Sequence, residues 1–206
     1  MSITTYQGLR QAVAEWLMRD DLEPVIPQFI ALAEARFNRD LRVRQMITRA
    51  TAETDSGDAH VTLPGNWLEA RTVSLVDNGT PRALEYVTLE SASALRPGTG
   101  PARFFNVNGN RLEFIPGPPD GTQVELIYYA AIPALSESEP TNWLSLAYPD
   151  QYLYGALVHS APYLRDDERV AVWASLYDRG LEEIRIADER ARHGKFSLKM
   201  RARPLA

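Results

Sequence analysis

The chain has 206 residues, with 22 Lys and Arg against 27 Asp and Glu, and its formal net charge at pH 7 is −5. It contains no cysteine, which excludes disulfides, thiolate metal ligands and a cysteine nucleophile. The first residues carry neither a basic nor an apolar region, so we expect no signal peptide. No apolar run approaches the roughly 20 residues that a membrane-spanning helix needs.

Two helices are predicted before residue 45. The first spans about residues 6–19 and has Thr4 or Thr5 as its N-cap. The second spans about residues 26–43. The apolar stripes that predict them are Leu9, Val13, Trp16 and Leu17 in the first and Ile26, Phe29, Ile30, Ala33, Phe37 and Leu41 in the second. The opposite face of the second helix is predicted to be charged and carries Glu34, Arg36, Arg39, Asp40, Arg42 and Arg44.

After Gln45 the apolar period changes from 3.6 to 2, which predicts strands. We expect strands at 46–53, 59–63, 68–76, 82–87, 103–107, 111–115 and 123–130, and one or two helical turns at 88–95. Asn78-Gly79 and Asn108-Gly109 are dipeptides typical of hairpin turns. The central hundred residues are therefore interpreted as an antiparallel meander.

Two further helices are predicted after a linker at residues 133–141 that is rich in Ser, Glu and Pro. The third helix spans about residues 149–163, because Pro149 suits a first helical position. The fourth spans about residues 166–190. The predicted core sides are Leu153, Ala156, Leu157, Ser160 and Leu164 in the third helix, and Val170, Trp173, Leu176 or Tyr177, Gly180, Leu181, Ile184 and Ala187 in the fourth.

These elements predict an α+β fold. A helical bundle forms from residues 1–45 and 142–193, an antiparallel β region is inserted at residues 46–141, and residues 194–206 form an extended C-terminal docking arm. The order of helices in the sequence does not prove that they pack together. The alternative, in which the β region forms a separate lobe, stays open.

Residues that carry enzyme chemistry are scarce. The three histidines, His60, His159 and His193, lie in different segments and lack the spacing of a metal site. Ser160 has no nucleophile elbow around it, and the acidic residues 166–168 suit a helix start. Gly98 and Gly100 precede a strand, whereas a phosphate-binding loop follows one. We therefore predict a non-enzyme with no catalytic, metal-binding or cofactor-binding residue.

Two aromatic pairs, Phe104-Phe105 and Tyr128-Tyr129, lie within predicted strands. Neighbouring residues of a strand point to opposite faces of the sheet. One ring of each pair must therefore point away from any single core, and we expect that ring to need a partner or a second packing layer.

Three stretches together resemble the head-to-tail adaptor (connector) proteins of tailed bacteriophages. They are residues 29–42 in the second helix, residues 61–69 around Leu63-Pro64-Gly65-Asn66-Trp67, and residues 142–157 with 161–169. The resemblance covers about residues 5–190, and its most specific part is Pro149-Asp150-Gln151-Tyr152 with its surroundings.

The resemblance implies a virion protein at the head–tail junction, made in the bacterial host cytoplasm. Such adaptors form dodecameric rings beneath the portal protein, join after DNA packaging and present a surface to the next tail component, a nozzle, hub or tail-terminator protein. Packaged DNA passes through the ring without specific binding during genome ejection. No membrane and no catalytic residue is implied, and an extended C-terminal arm commonly docks on the portal.

The charge distribution sets the end of the chain apart. Residues 191–206 contain five basic side chains and no acidic one, which leaves 17 basic against 27 acidic residues in 1–190, a formal −10. Such asymmetry indicates that a basic arm contacts something that the acidic body does not.

The arm alternates Phe196, Leu198 and Met200 with polar and basic residues, the period of a two-faced strand. The thirteen residues from Gly194 to the end could reach about 43 Å when extended. We predict portal docking through Lys195, Phe196, Leu198, Lys199, Met200, Arg201 and Arg203. The alternative is a nucleic-acid-binding module that uses the basic arm for phosphates, against which the acidic body argues.

Overall fold

The computed structural model describes residues 2–54, 60–77, 79–95, 100–164 and 168–193. The helices are α1 (Tyr6–Leu17), α2 (Ile26–Asp40), α3 (Leu89–Leu95), α4 (Trp143–Ala147), α5 (Pro149–His159) and α6 (Arg169–His193). The strands are β1 (Ile47–Glu53), β2 (His60–Thr62), β3 (Trp67–Asp77), β4 (Thr80–Ala83), β5 (Glu85–Tyr86), β6 (Phe104–Asn108), β7 (Arg111–Ile115) and β8 (Gln123–Ala130). Short 3-10 helices lie at Asp20–Val25, Arg44–Met46 and Ala161–Tyr163. The prediction of an α+β fold is confirmed.

By their contacts the described residues form two units. One is Gln45–Ala131, which holds the eight described strands and α3. The other takes in the chain on both sides of that segment and holds α1, α2, α4, α5 and α6. The two are called the β unit and the helical unit below.

The apolar stripe of α2 explains the core of the helical unit. All six residues predicted for that stripe are buried. The helix ends at Asp40, three residues before the predicted end, because Leu41 adopts an extended backbone. Arg42 then caps the end, since its guanidinium donates to the carbonyl oxygens of Asn38 (2.7 Å) and Leu41 (2.6 Å). Thr5 caps α1 as predicted, because its Oγ1 accepts from the N–H of Gly8.

The third predicted helix was too long. The structure ends α5 at His159 and continues as a 3-10 helix over Ala161–Tyr163. Pro162 has no backbone N–H and cannot continue an α-helix without a clash in the preceding turn. The short helix α4 was not predicted. It begins at a capping box in which Asn142 and Ser145 bond each other's backbone.

Three positions on the predicted helix faces are corrected by the structure. Trp16, assigned to a core stripe, is 44% exposed, whereas Glu34, assigned to a charged face, is only 7% exposed. In α6 the last buried position is Asp188 and not Ala187, which is exposed. A stripe of apolar residues cannot reveal a buried carboxylate, because the partners that satisfy the carboxylate come from distant parts of the chain.

The single antiparallel meander is also corrected. The β unit contains two four-stranded sheets, with the orders β1-β8-β3-β4 and β2-β7-β6-β5. The turns at Gly79 and Gly109 do join hairpins, β3–β4 and β6–β7, and both glycines have the positive φ that such turns require. However, β1 pairs with β8, so that Ile47 faces Tyr129, and the short β5 runs parallel to β6. Turn residues specify neighbouring strands only, so these distant pairings were missed.

The core of the β unit includes one ring from each aromatic pair. Phe105 and Tyr128 belong to this core, and Trp67 stacks on the Tyr128 ring at 5.6 Å. The Tyr128 hydroxyl donates to Oδ1 of Asn66 at 2.9 Å. Tyr129, on the other face of β8, is nevertheless only 8% exposed, and the Arg71 guanidinium lies 5.7 Å from its ring centre.

Candidate interaction site

The residues predicted to dock on the portal lie outside the described residues. These are Lys195, Phe196, Leu198, Lys199, Met200, Arg201 and Arg203. The structure does describe α6, the helix that precedes them, and the unit on which α6 packs. The contacts that hold α6 against α2 and α5 therefore define where the arm begins.

A glycine of α5 allows α2, α5 and α6 to pack closely against one another. A Cβ added at Gly155 would lie 3.0 Å from the Ala33 Cβ, 3.1 Å from the Phe37 Cζ and 3.3 Å from the Tyr177 Cε2. These atoms come from α2 and α6, so the absence of a side chain at Gly155 brings α2, α5 and α6 together. The Phe37 ring stacks on the Tyr177 ring with centroids 5.8 Å apart.

A second glycine makes room for a buried amide. Gln151, which is 1% exposed, donates its Nε2 to the carbonyl oxygen of Tyr177 at 2.9 Å. A Cβ at Gly180 would collide with Oε1 of Gln151. The helix stripe correctly included Gly180, but only the packing shows that its role is to admit the Gln151 side chain.

Glu34 is the centre of a buried polar network in the helical unit. Its Oε1 accepts from the backbone N–H of Leu135 at 2.7 Å and from the Tyr152 hydroxyl at 3.3 Å. The Asn142 Nδ2 donates to the Tyr152 hydroxyl at 2.6 Å and to the carbonyl oxygen of Pro133 at 2.7 Å. The network therefore ties the chain returning from the β unit to α2 and α5.

Burial changes the acidity of both groups in this network. Loss of water raises the pKa of Glu34, and the bonds from Leu135 and Tyr152 act in the opposite direction. Burial, followed by the charge of Glu34, raises the pKa of Tyr152 so that its hydroxyl stays protonated at neutral pH. A protonated Tyr152 can donate to the Glu34 carboxylate while it accepts from Asn142.

The last two turns of α6 are held by a carboxylate. Asp188 is 6% exposed, and its Oδ1 accepts from the backbone N–H of Arg44 at 2.9 Å. Its Oδ2 lies 2.7 Å from the Arg192 Nε, and the Arg44 Nε lies 3.7 Å from Oδ1. The Arg192 guanidinium also donates to the Arg42 carbonyl oxygen at 3.2 Å. We call Asp188, Arg192, Arg42 and Arg44 the α6 anchor.

The opposite end of α6 carries a partly exposed aromatic patch. The Trp16 ring meets Tyr154 edge to face at 6.0 Å. Arg169 donates to the Trp16 carbonyl oxygen at 3.1 Å, and its guanidinium lies 5.2 Å from the Trp173 ring centre. Val172, in the same turn of α6, is 58% exposed. Aromatic rings with a guanidinium are enriched at protein–protein contacts.

The β unit offers a second surface, a groove of about 730 Å³. It is lined by Trp67, Leu68, Glu69, Ala70, Arg71, Thr72, Val73, Ala83, Leu84, Tyr86, Phe105 and Val107. β4 pairs only with Ser74–Asp77 of β3, so among the described strands none pairs with the groove side of residues 67–72. Tyr86 is 62% exposed beside this groove.

Within the described ranges the structure has no group of three or more His, Cys, Asp or Glu that could hold a metal ion. Burial, with the nearby charges of Arg36 and Arg39, lowers the pKa of His159, so this imidazole is neutral at pH 7. No helix in the described part of the chain combines the length and apolar character needed to cross a bilayer.

A protein-family model described as SU10 adaptor protein matches residues 4–203 of the chain. The chain belongs to the SU10 adaptor protein family. This is a phage head–tail adaptor family, so the resemblance found in the sequence is confirmed. The match also includes residues 194–203 and thus most of the basic arm. A comparison with curated proteins gave no match.

Proposed function

We propose that this chain is the subunit of a dodecameric ring that joins the phage portal to the tail and forms part of the DNA channel. The observation that carries this proposal is the family match over residues 4–203. In the proposed ring, the helices of residues 1–45 and 142–193 form one bundle, and residues 46–141 are the inserted β region. The protein has no catalytic role in this proposal.

The acidic body supports a channel function. Residues 1–190 carry a formal charge of −10. A wall of like charge does not hold the DNA duplex, so DNA can pass during genome ejection without specific binding. We infer that the protein resides at the head–tail junction of the virion after synthesis in the host cytoplasm.

The basic arm is proposed to dock on the portal protein as an added strand. Its apolar side is Phe196, Leu198 and Met200, and Lys195, Lys199, Arg201 and Arg203 supply positive charge. An extended segment of this kind can pair with the edge of a partner's sheet, where backbone bonds give affinity and alternate side chains give specificity.

Negative-stain imaging of the purified protein with purified portal tests this function. We expect rings seated on the portal for the full chain and none for a variant lacking residues 194–206. The circular dichroism spectrum of that variant should show that the rest of the chain is still folded. A protein that stays monomeric and unbound beside portal would refute the proposal.

Two matched triple variants separate the apolar side of the arm from its charges. Replacing Phe196, Leu198 and Met200 by Ser keeps the charge, and replacing Lys195, Lys199 and Arg201 by Gln keeps the apolar side. Docking by an added strand predicts that the Ser variant loses portal binding. A nucleic-acid module predicts instead that only the Gln variant loses affinity for duplex DNA, with a reduced dependence of binding on salt.

A further inference from the structure

The end of α6 has an unusual pattern of burial. From Arg185 to Arg192 every residue except Asp188 is exposed. Ile184 is the last apolar residue of α6 that is buried, at 3% exposure. Apolar packing therefore stops at Ile184, and the position of the final turns depends on polar contacts.

Those contacts share one target, the backbone of the last residue of α2 and of the segment that follows it. Asp188 accepts from the N–H of Arg44, Arg192 donates to the carbonyl oxygen of Arg42, and Arg185 donates to the carbonyl oxygen of Asp40 at 2.9 Å. Backbone groups are fixed in space by the fold, whereas long side chains are not. Hydrogen bonds to these backbone groups therefore set the position of the end of α6.

Asp188 holds this arrangement together because it contacts two arginines of different segments. Its carboxylate lies between Arg44, on the segment after α2, and Arg192, one turn further along α6. Without the carboxylate, the Arg44 N–H loses its acceptor, and Arg192 and Arg44 are left as neighbouring like charges. The last turn of α6 would then be held less firmly to the helical unit.

We propose that Asp188 is a positioning residue for the C-terminal arm: through the α6 anchor it fixes the place and direction of the end of α6, the helix that precedes the arm. This inference rests on the proposed function, in which the arm docks on the portal. A flexible segment loses more conformational freedom on binding than one that starts from a fixed point. The anchor thus raises portal affinity although none of its residues belongs to the predicted docking set.

The positioning itself can be measured without the portal. The natural chain has no cysteine, so two exposed alanines, Ala35 of α2 and Ala191 of α6, can be replaced by Cys and spin-labelled. A second pair, Ala35 and Ser175, reports on the start of α6. We expect D188A to broaden the 35–191 distance distribution and to leave the 35–175 distribution unchanged, and D188N to have an intermediate effect because its Oδ1 still accepts from Arg44.

E183A is the matched control. Glu183 forms an i,i+4 pair with Arg179 on the same helix at 2.9 Å, but both side chains are exposed. Its removal should leave both distance distributions unchanged. If D188A leaves the 35–191 distribution as narrow as in the parent, or broadens both pairs equally as a general loss of fold would, the inference is overturned.

Portal binding supplies the second measurement. We expect D188A to weaken portal binding about tenfold, the size of effect that immobilising one or two additional side chains produces, while E183A binds as the parent does. A broadened 35–191 distribution with unchanged portal affinity would overturn the link to docking. If the parent protein itself does not bind portal, the proposed function fails, and the label distances still decide whether Asp188 fixes the end of α6.

Discussion

The buried carboxylate of Glu34 allows a sharp test of the polar network in the helical unit. We compare two substitutions, Glu34→Ala, which removes the Oε1 atom that accepts both hydrogen bonds, and Glu34→Gln, which keeps Oε1 and removes the charge. In Glu34→Ala the Leu135 N–H and the Tyr152 hydroxyl lose the acceptor found in the structure. A buried donor without a partner costs about 1–3 kcal/mol.

With these two donors left unpaired, we predict that Glu34→Ala lowers the free energy of unfolding by about 2–6 kcal/mol. This is a large part of the roughly 5–15 kcal/mol by which domains are stable. Glu34→Gln should be as stable as the parent at pH 7.5 or more stable, because a neutral amide is not penalised by burial as a carboxylate is. The measurement is urea unfolding followed by tryptophan fluorescence.

The pH dependence of the free energy of unfolding provides a second test of the same network. Burial raises the folded-state pKa of Glu34 above its usual 4.5, so between 4.5 and the folded pKa the native state binds more protons than the unfolded state. The stability of the parent relative to Glu34→Gln should therefore fall as pH rises from 4.5 through the folded pKa and stay constant above it.

Glu15, which is exposed on α1, provides the control for this series. Glu15→Ala should change stability by less than about 0.5 kcal/mol, as surface substitutions usually do. A Glu34→Ala variant as stable as the parent, or a Glu34→Gln variant destabilised as much as Glu34→Ala, would contradict the role of this carboxylate.

Three further predictions concern packing and can be checked by thermal or urea unfolding. Gly155→Ala should cost about 1–3 kcal/mol, because its Cβ would enter a three-helix contact; an unchanged stability would show that α5 can shift freely. Gly180→Ala should also destabilise, but combining it with Gln151→Ala should cost less than the sum of the two single changes, and strict additivity would contradict the contact between them. Tyr128→Phe should cost about 0.5–1.5 kcal/mol through loss of the bond to Asn66, whereas Tyr86→Phe, at an exposed position, should cost nothing measurable.

Local patterns were sufficient for much of the fold. The α2 stripe and the Thr5 cap follow from rules that involve residues within one or two turns. The hairpins at Gly79 and Gly109 follow from turn chemistry in the same way. Such features are stable for reasons contained in a short segment, so a short segment of sequence suffices to predict them.

The burial of Glu34 and Asp188 does not follow from those local rules. Glu34 and Asp188 occupy helix positions that polarity assigns to solvent, yet both are buried because they satisfy donors far away in the chain. The acceptor of the Leu135 N–H lies 101 residues away in sequence, and that of the Arg44 N–H lies 144 residues away. A carboxylate is stable in the interior only when such partners are present, and their presence is a property of the folded chain.

The sequence by itself determined the class of fold, the turns, most helix faces and the family to which the chain belongs, because each of these is expressed in neighbouring residues or in matching order along the chain. It also established the basic, alternating arm, whose docking on the portal stays a prediction. Only the tertiary structure decided that β1 pairs with β8, that Gly155 and Gly180 admit their neighbours, and that Asp188 anchors the end of α6. These features depend on contacts between atoms of residues that are far apart in sequence. Such contacts form only in the folded chain, and neighbouring residues carry no pattern that predicts them.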